Sequence, residues 1–243
     1  MPLAENRRPA LRDGDGRRRV HVPLHVYTLP KMRLYAYRVP PVDNDVYVIA
    51  DAGGDAIVID PSFAERDILR TLTANKLRAR EILNTHGHFD HTFADGPVKA
   101  ATNATLAIHR LDAQRLDQNV WEGSAFFSLP HPPARAERLL EEGDESRLSD
   151  IRLVTLHTPG HTEGSVCFYI AQEKALFSGD TLFNAGLGRT DLPGGDARAL
   201  VASLHRLLEL PDDTVVYPGH GPRTTIGAER GWIEPLTAES LLA

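Results

Sequence analysis

One cysteine, Cys167, stands in the whole chain of 243 residues, so no disulfide framework can form within it. It sits in the β-like run SVCFYI, where the plain reading is a small buried hydrophobe, and a reducing compartment fits. Long apolar runs are missing as well: none approaches the roughly 18–20 consecutive residues that a membrane-spanning helix needs. Positive charge is not in excess. Lys and Arg number 27 against 33 Asp and Glu, a formal net charge of −6, which gives no general attraction to a polyanion and argues against nucleic acid as a partner. The N-terminal stretch MPLAENRRPALRDGDGRRRVHVPLHVY is rich in arginine, but it has no apolar signal core and carries acids that organelle-targeting segments usually lack. A soluble, cytoplasmic protein is expected, with residues 1–24 as a poorly ordered charged extension and 25–243 as one large domain.

What is present is ordinary in bulk, 42% hydrophobic and 25% charged. Three short apolar runs between 32 and 60, MRLYAYRV, DVYVIAD and DAIVID, read as strands of a meander. Residues 62–76 space Phe63, Ile68, Leu69 and Leu72 as an amphipathic helix, and 79–86 read as a buried strand. Residues 104–116 read as helical. The stretch 117–150 reads as irregular, and its Trp121, Phe126 and Phe127 are weak candidates to wall a substrate pocket. Three further strands, a helix from 196 and a last strand in DTVVYPGHG complete the pattern.

Against this background THGHFDHT, residues 85–92, packs three histidines and an aspartate into six positions. Four stretches share its design: ILNTHGHFDH (82–91), VTLHTPGH (154–161), ALFSGDT (175–181) and VVYPGHG (215–221) each run an apolar strand into glycine, proline or histidine and end on a metal-competent side chain. All four are expected at one edge of a sheet, where loops on a rigid scaffold carry function. His86 and His88, two apart in extended chain, point the same way and can clasp one ion. Asp90 and His91, beyond the turn at Gly87, can face a second. Imidazole and carboxylate suit zinc, iron or manganese, and the lack of nearby cysteines argues against a structural zinc site. His21, His25, His109, His131 and His205 read as solvated or hydrogen-bonded side chains. His157 reads as structural, with a supporting role behind the ligands as the alternative.

The four motifs in this order resemble the metallo-β-lactamase-fold hydrolase superfamily across about residues 32–230. The resemblance implies an α/β fold, a four-layer αββα sandwich with a binuclear site at one edge. Carried over by motif position, His86, His88 and His161 would bind the first metal and Asp90, His91 and His220 the second, with Asp180 bridging. Asp90 would also orient a metal-bridging hydroxide, the nucleophile at neutral pH. Two divalent ions are implied, zinc first, with iron or manganese as alternatives.

The superfamily hosts several reactions, so local motifs must choose among them. Asp180 stands where zinc β-lactamases with a cysteine ligand would have Cys. GRTDLPGGD (188–196) and YPGHGPRTTIGAER (217–230) are similar to the short glyoxalase II-like hydrolases of bacteria, which implies a small-molecule thioester such as S-lactoylglutathione as substrate. Full-length glyoxalase II carries a C-terminal helical domain that holds glutathione; residues 221–243 are too few for one, so its thiol-recognition residues do not carry over. The alternative is a mononuclear iron persulfide dioxygenase, which shares the GRTD segment. Arg189 reads as a substrate contact or as the ion-pair partner of Asp191, the latter favoured.

Overall fold

The structure, a computed structural model, describes residues 24–117 and 134–242. The expected meander is present as β2 (Arg33–Val39), β3 (Asn44–Ala50) and β4 (Asp55–Ile59), preceded by β1 (Leu24–Thr28), all paired antiparallel. Val46 and Val48 of β3 face one apolar core while Tyr47 and Ile49 face another. Both faces are covered, which is why the run has no polar alternate. A crossover helix, α1 (Glu65–Ala74), leads to β5 (Arg78–Leu83), which lies parallel to β4. Two short helices follow, α2 (Phe89–Thr92) and α3 (Asp95–Thr102).

Residues 104–116 depart from the helical expectation: β6 (Thr105–His109) is a strand, and only α4 (Ala113–Asp117) is helical. A short run such as TLAIH, buried on both faces between parallel neighbours, has no period that separates strand from helix. The stretch expected to be irregular also holds two strands, β7 (Arg138–Leu140) and β8 (Glu145–Leu148). Arg138 of β7 donates to Ser146 Oγ of β8 at 2.9 Å and to Glu81 Oε1 of β5 at 2.8 Å. Trp121, Phe126, Phe127 and His131, together with His21 and the N-terminal segment up to residue 23, lie outside the described residues.

The remaining strands are β9 (Ile151–His157), β10 (Val166–Ile170), β11 (Ala175–Gly179), the small hairpin β12 (Leu182–Phe183) and β13 (Gly186–Leu187), β14 (Val215–Pro218) and β15 (Thr224–Thr225). Three helices complete this half: α5 (Ala197–Leu207), α6 (Ile226–Ile233) and α7 (Ala238–Leu242). Asp196 caps α5, its Oδ1 accepting the N–H groups of Arg198 and Ala199, a contact worth about 1 kcal/mol. The described strands form a seven-stranded sheet, β1 through β7 in sequence order, and a six-stranded sheet ordered β15-β14-β11-β10-β9-β8.

Three apolar cores separate four layers. Ile68 and Leu72 of α1 and Val98 of α3 cover the outer face of the first sheet. Leu34, Ile57 and Leu83 meet Leu153, Phe168 and Phe177 between the sheets. Leu200, Leu204 and Ile233 cover the outer face of the second, where Cys167 is fully buried. This is the αββα sandwich. β4, β5 and β6 run parallel, as do β9, β11 and β14, so their C-terminal ends gather residues 60, 86–91, 112, 161, 180 and 220 at one edge.

Candidate metal centre

At that edge the chain brings all seven expected residues together. His88 Nδ1 lies 3.0 Å from His86 Nε2 and 2.8 Å from His161 Nε2. These spacings approach the edge of a zinc tetrahedron, roughly 3.3 Å for Zn–N bonds of about 2.0–2.1 Å. Beside this trio, His220 Nε2 stands 3.5 Å and His91 Nε2 3.7 Å from Asp90 Oδ2. Asp180 lies between the two sets: Oδ1 is 3.4 Å from His91 Nε2, and Oδ2 is 3.5 Å from His161 Nε2 and 3.6 Å from His220 Nε2. Ligand atoms of His86, His88 and His161, and of Asp90, His91 and His220, each fall within 4.8 Å of one another.

The outward nitrogens explain why the inward ones are available. His161 Nδ1–H donates to Arg189 O at 2.8 Å and His220 Nδ1–H to Val42 O at 3.1 Å. His91 Nδ1 meets Asp60 Oδ2 at 3.0 Å, and His86 Nδ1 meets Thr85 Oγ1 at 3.0 Å, whose own hydroxyl donates to Asp60 Oδ2 at 2.6 Å. Each contact fixes a tautomer that leaves the Nε2 lone pair facing the cluster. Asp60 is thus a functional residue that the motif reading missed. A third close grouping, Asp60 with His86 and His91, reflects this support, since both Asp60 oxygens already accept hydrogen bonds, Oδ1 from Thr85 N at 2.8 Å. Its signal was present: AIVIDP is another apolar strand that runs into an acid and a proline. Asp60 takes φ 46°, a left-handed conformation that aspartate tolerates, and this turns the strand end toward the cluster. Asn44 was missed too; its Nδ2 donates to Asp90 Oδ2 at 3.0 Å.

The electrostatics favour a bound cation. Burial, reinforced by His91, His88 and His161, holds the His86 pKa well below that of free imidazole. At His88, burial and then His161 do the same. Burial would raise the Asp90 carboxyl, but His91 and hydrogen bonds from His220 and Asn44 outweigh it and keep it below the usual carboxylate range. Burial opposes charge on His91 as well, yet Asp180, Asp90 and Asp60 push its pKa up to about 10. The same contest raises His220, where Asp90 and Asp180 prevail. One half of the cluster is neutral imidazole, and the other is carboxylate that attracts positive charge.

The profile of the metallo-beta-lactamase superfamily matches residues 39–220. The chain belongs to the metallo-β-lactamase superfamily. Hydroxyacylglutathione hydrolase GloC of Haemophilus influenzae is 34% identical over 186 residues, covering 75% of this chain and 88% of that protein. Among solved structures, TTHA1623 in a di-iron-bound form is 39% identical with a TM-score of 0.71, over 79% of this chain and 95% of the other. BLEG-1 B3 metallo-β-lactamase is 35% identical with a TM-score of 0.77, over 82% and 96%.

The His/Asp cluster is of the binuclear type found in metal-dependent hydrolases of this superfamily, and its residues fit that group. His91 Nε2 and Asp180 Oδ1 are buried and make no hydrogen bond among the described residues, although they face each other across the cluster. A cation between them would take the place of the proton on His91 and give both atoms a direct partner.

The other singled-out residues lie apart from the cluster. His205 Nε2 bonds Ile233 O at 2.9 Å. His109 stacks on His157, whose Nε2 meets Glu163 O at 2.9 Å. Arg189 and Asp191 form the expected ion pair at 2.7 Å, with both side chains exposed rather than buried; it is the backbone carbonyl of Arg189 that touches the site. No helix among the described residues is long and apolar enough to cross a membrane.

Proposed function

We propose that this chain hydrolyses a small-molecule thioester of the S-lactoylglutathione kind, with two divalent cations, zinc first, in the cluster. His86, His88 and His161 would hold one cation, Asp90, His91 and His220 the other, and Asp180 stands where both could use it. The thioester reading is carried by the similarity to hydroxyacylglutathione hydrolase GloC over three quarters of the chain. Iron and manganese suit the same donors, and a di-iron form is described for a similar structure.

Bound there, the cations would polarise a carbonyl oxygen and lower the pKa of water toward neutrality. The protein's own part is to present lone pairs in fixed directions. His161 and His220 are anchored by backbone carbonyls, and His91 and His86 by the Asp60–Thr85 pair, so the site needs little rearrangement when it loads. Asp90 is ionised, and Asn44 holds its Oδ2. With its second metal bound, this carboxylate would orient the attacking water, whose proton the cations help to remove. A thiol of pKa about 8.5 leaves as thiolate near neutral pH without a dedicated protein acid, unlike an amine.

The test is metal content per chain by elemental mass spectrometry, on protein purified without a metal-binding tag. S-lactoylglutathione hydrolysis, β-lactam hydrolysis and oxygen uptake on glutathione persulfide are assayed on the same sample. Close to two ions with thioester hydrolysis supports the reading. One iron per chain with persulfide-dependent oxygen uptake replaces it with the dioxygenase, and turnover of the β-lactam alone replaces it with a lactamase. Asp180→Asn is expected to lower bound metal and to cut thioester turnover by about 100-fold or more, with far-UV circular dichroism unchanged. Full turnover with two ions bound would remove Asp180 from the site.

A further inference from the structure

Asp112 is not among the metal ligands, yet it is fully buried and accepts hydrogen bonds from three separate segments. Its Oδ2 takes the Gly87 N–H at 2.7 Å and the Thr162 hydroxyl at 2.8 Å, and its Oδ1 takes the Gly164 N–H at 2.9 Å and Arg115 Nε–H at 3.2 Å. Gly87 is the residue between His86 and His88. Thr162 follows His161 directly. One carboxylate therefore grips both loops whose imidazoles form the tighter trio, although the loops lie more than seventy residues apart in the chain.

The approach is close enough to dictate its neighbours. A Cβ on Gly164 would stand 2.7 Å from Asp112 Cγ, and one on Gly87 2.7 Å from Arg115 Cβ, so only glycine lets both backbones reach the carboxylate and its partner. Arg115 extends the grip by donating to Pro193 O at 3.1 Å, in the loop whose Arg189 carbonyl receives His161 Nδ1–H. His161 is thus held from both sides. A carboxylate without solvent is costly unless every lone pair is answered, and here backbone, hydroxyl and guanidinium donors supply that answer.

We infer that Asp112 is a positioning residue for the first metal: it sets the separation of the His86–His88 loop from the His161 loop, and with it the convergence of His86 Nε2, His88 Nδ1 and His161 Nε2. The inference rests on the reading that these three histidines hold a cation. Two variants probe it. Asp112→Asn turns one acceptor oxygen into a donor that opposes a backbone N–H. Thr162→Val keeps the β-branched shape and removes a single donor, so it tests the idea even if the first variant does not fold.

The experiment titrates the metal-free full-length chain and each variant with cobalt(II), followed by visible absorption and by competition with a chelator, and records the thermal midpoint of each metal-free protein. Wild type is expected to take up two cobalt ions. Each variant is expected to lose affinity 10–100-fold at one site only, with altered d–d bands for that site and the other site unchanged. Variants that bind cobalt as wild type does while melting lower when metal-free would show that Asp112 only holds the fold, and would overturn the inference. No cobalt uptake by wild type would remove the metal reading and this inference with it.

Discussion

His109 and His157 show what two imidazoles do when no cation is meant to join them. Their rings stack 4.2 Å apart at 13°, and His109 is buried while its Nδ1 accepts the Leu111 N–H at 3.4 Å. Burial and then His157 push the His109 pKa down to about 4, against weak opposition from Asp112 and Glu141. An unfolded histidine titrates near 6.5, so the unfolded chain binds this proton more readily than the folded one. Stability from a neutral His109 is therefore complete above pH 6.5 and lost as pH falls from there toward 4. His109→Gln removes the titration and keeps a polar group. Urea unfolding at pH 7 and pH 4.5 is expected to show wild type losing about 1–2 kcal/mol more than the variant between the two. Equal losses would show that the ring stack carries no linkage. The sequence reading of His109 as a hydrogen-bonded bystander gave no hint of the stack, because its partner comes 48 positions later and neither residue lies in a motif.

At the scale of elements, α5 buries Leu200, Leu204 and Leu207 against the second sheet, while His205, next to Leu204, reaches sideways to α6. Its Nε2–H answers Ile233 O near the end of α6, one of the carbonyls that a helix leaves without an internal partner. His205→Ala is expected to cost about 1 kcal/mol in chemical denaturation and to leave thioester turnover unchanged. A large fall in turnover at unaltered stability would place His205 in the catalytic apparatus. Elements with a clear local signal were legible in the sequence: β3 and β4 as short apolar runs bounded by turn residues, α1 and α5 as amphipathic helices, and the four strands that end on the clustered histidines and aspartates. β6 was not, because a five-residue strand inside a parallel sheet is apolar on both faces and looks like part of a helix. The contacts of Asp60 and Asp112 escaped for a different reason, although Asp60 itself ends an apolar strand as the other motif residues do. Each acts through donors 25 or more residues away, Thr85 and His91 for one and Gly87, Thr162 and Gly164 for the other, and no local spacing encodes such a contact. Side chains that face the cluster sit in short motifs, whereas those that hold the facing residues are scattered.

For the molecule as a whole, the cluster is also a seam. His86, His88, Asp90 and His91 come from the first sheet, and His161, Asp180 and His220 from the second. At the same edge the sheets are joined by Val166 N–H to Thr85 O at 2.8 Å, and by Asp45 N–H to Gly219 O at 2.7 Å. A cation held from both sides binds the folded sandwich and not the unfolded chain, so it stabilises the fold by mass action. At free metal 1,000 times the dissociation constant that contribution is about 4 kcal/mol. For a chain of this size each kcal/mol moves the melting midpoint by about 2–4 °C, so removing metal with a chelator is expected to lower it by roughly 10 °C. Without metal, the repulsion among Asp60, Asp90 and Asp180 is met by a proton on His91. The metal-free protein is therefore expected to stay folded at neutral pH, with its far-UV circular dichroism retained. Differential scanning calorimetry before and after chelation, then after zinc is restored, checks both halves. A midpoint that does not move on chelation, in protein shown to have carried two ions, would mean that the metals do not tie the sheets together.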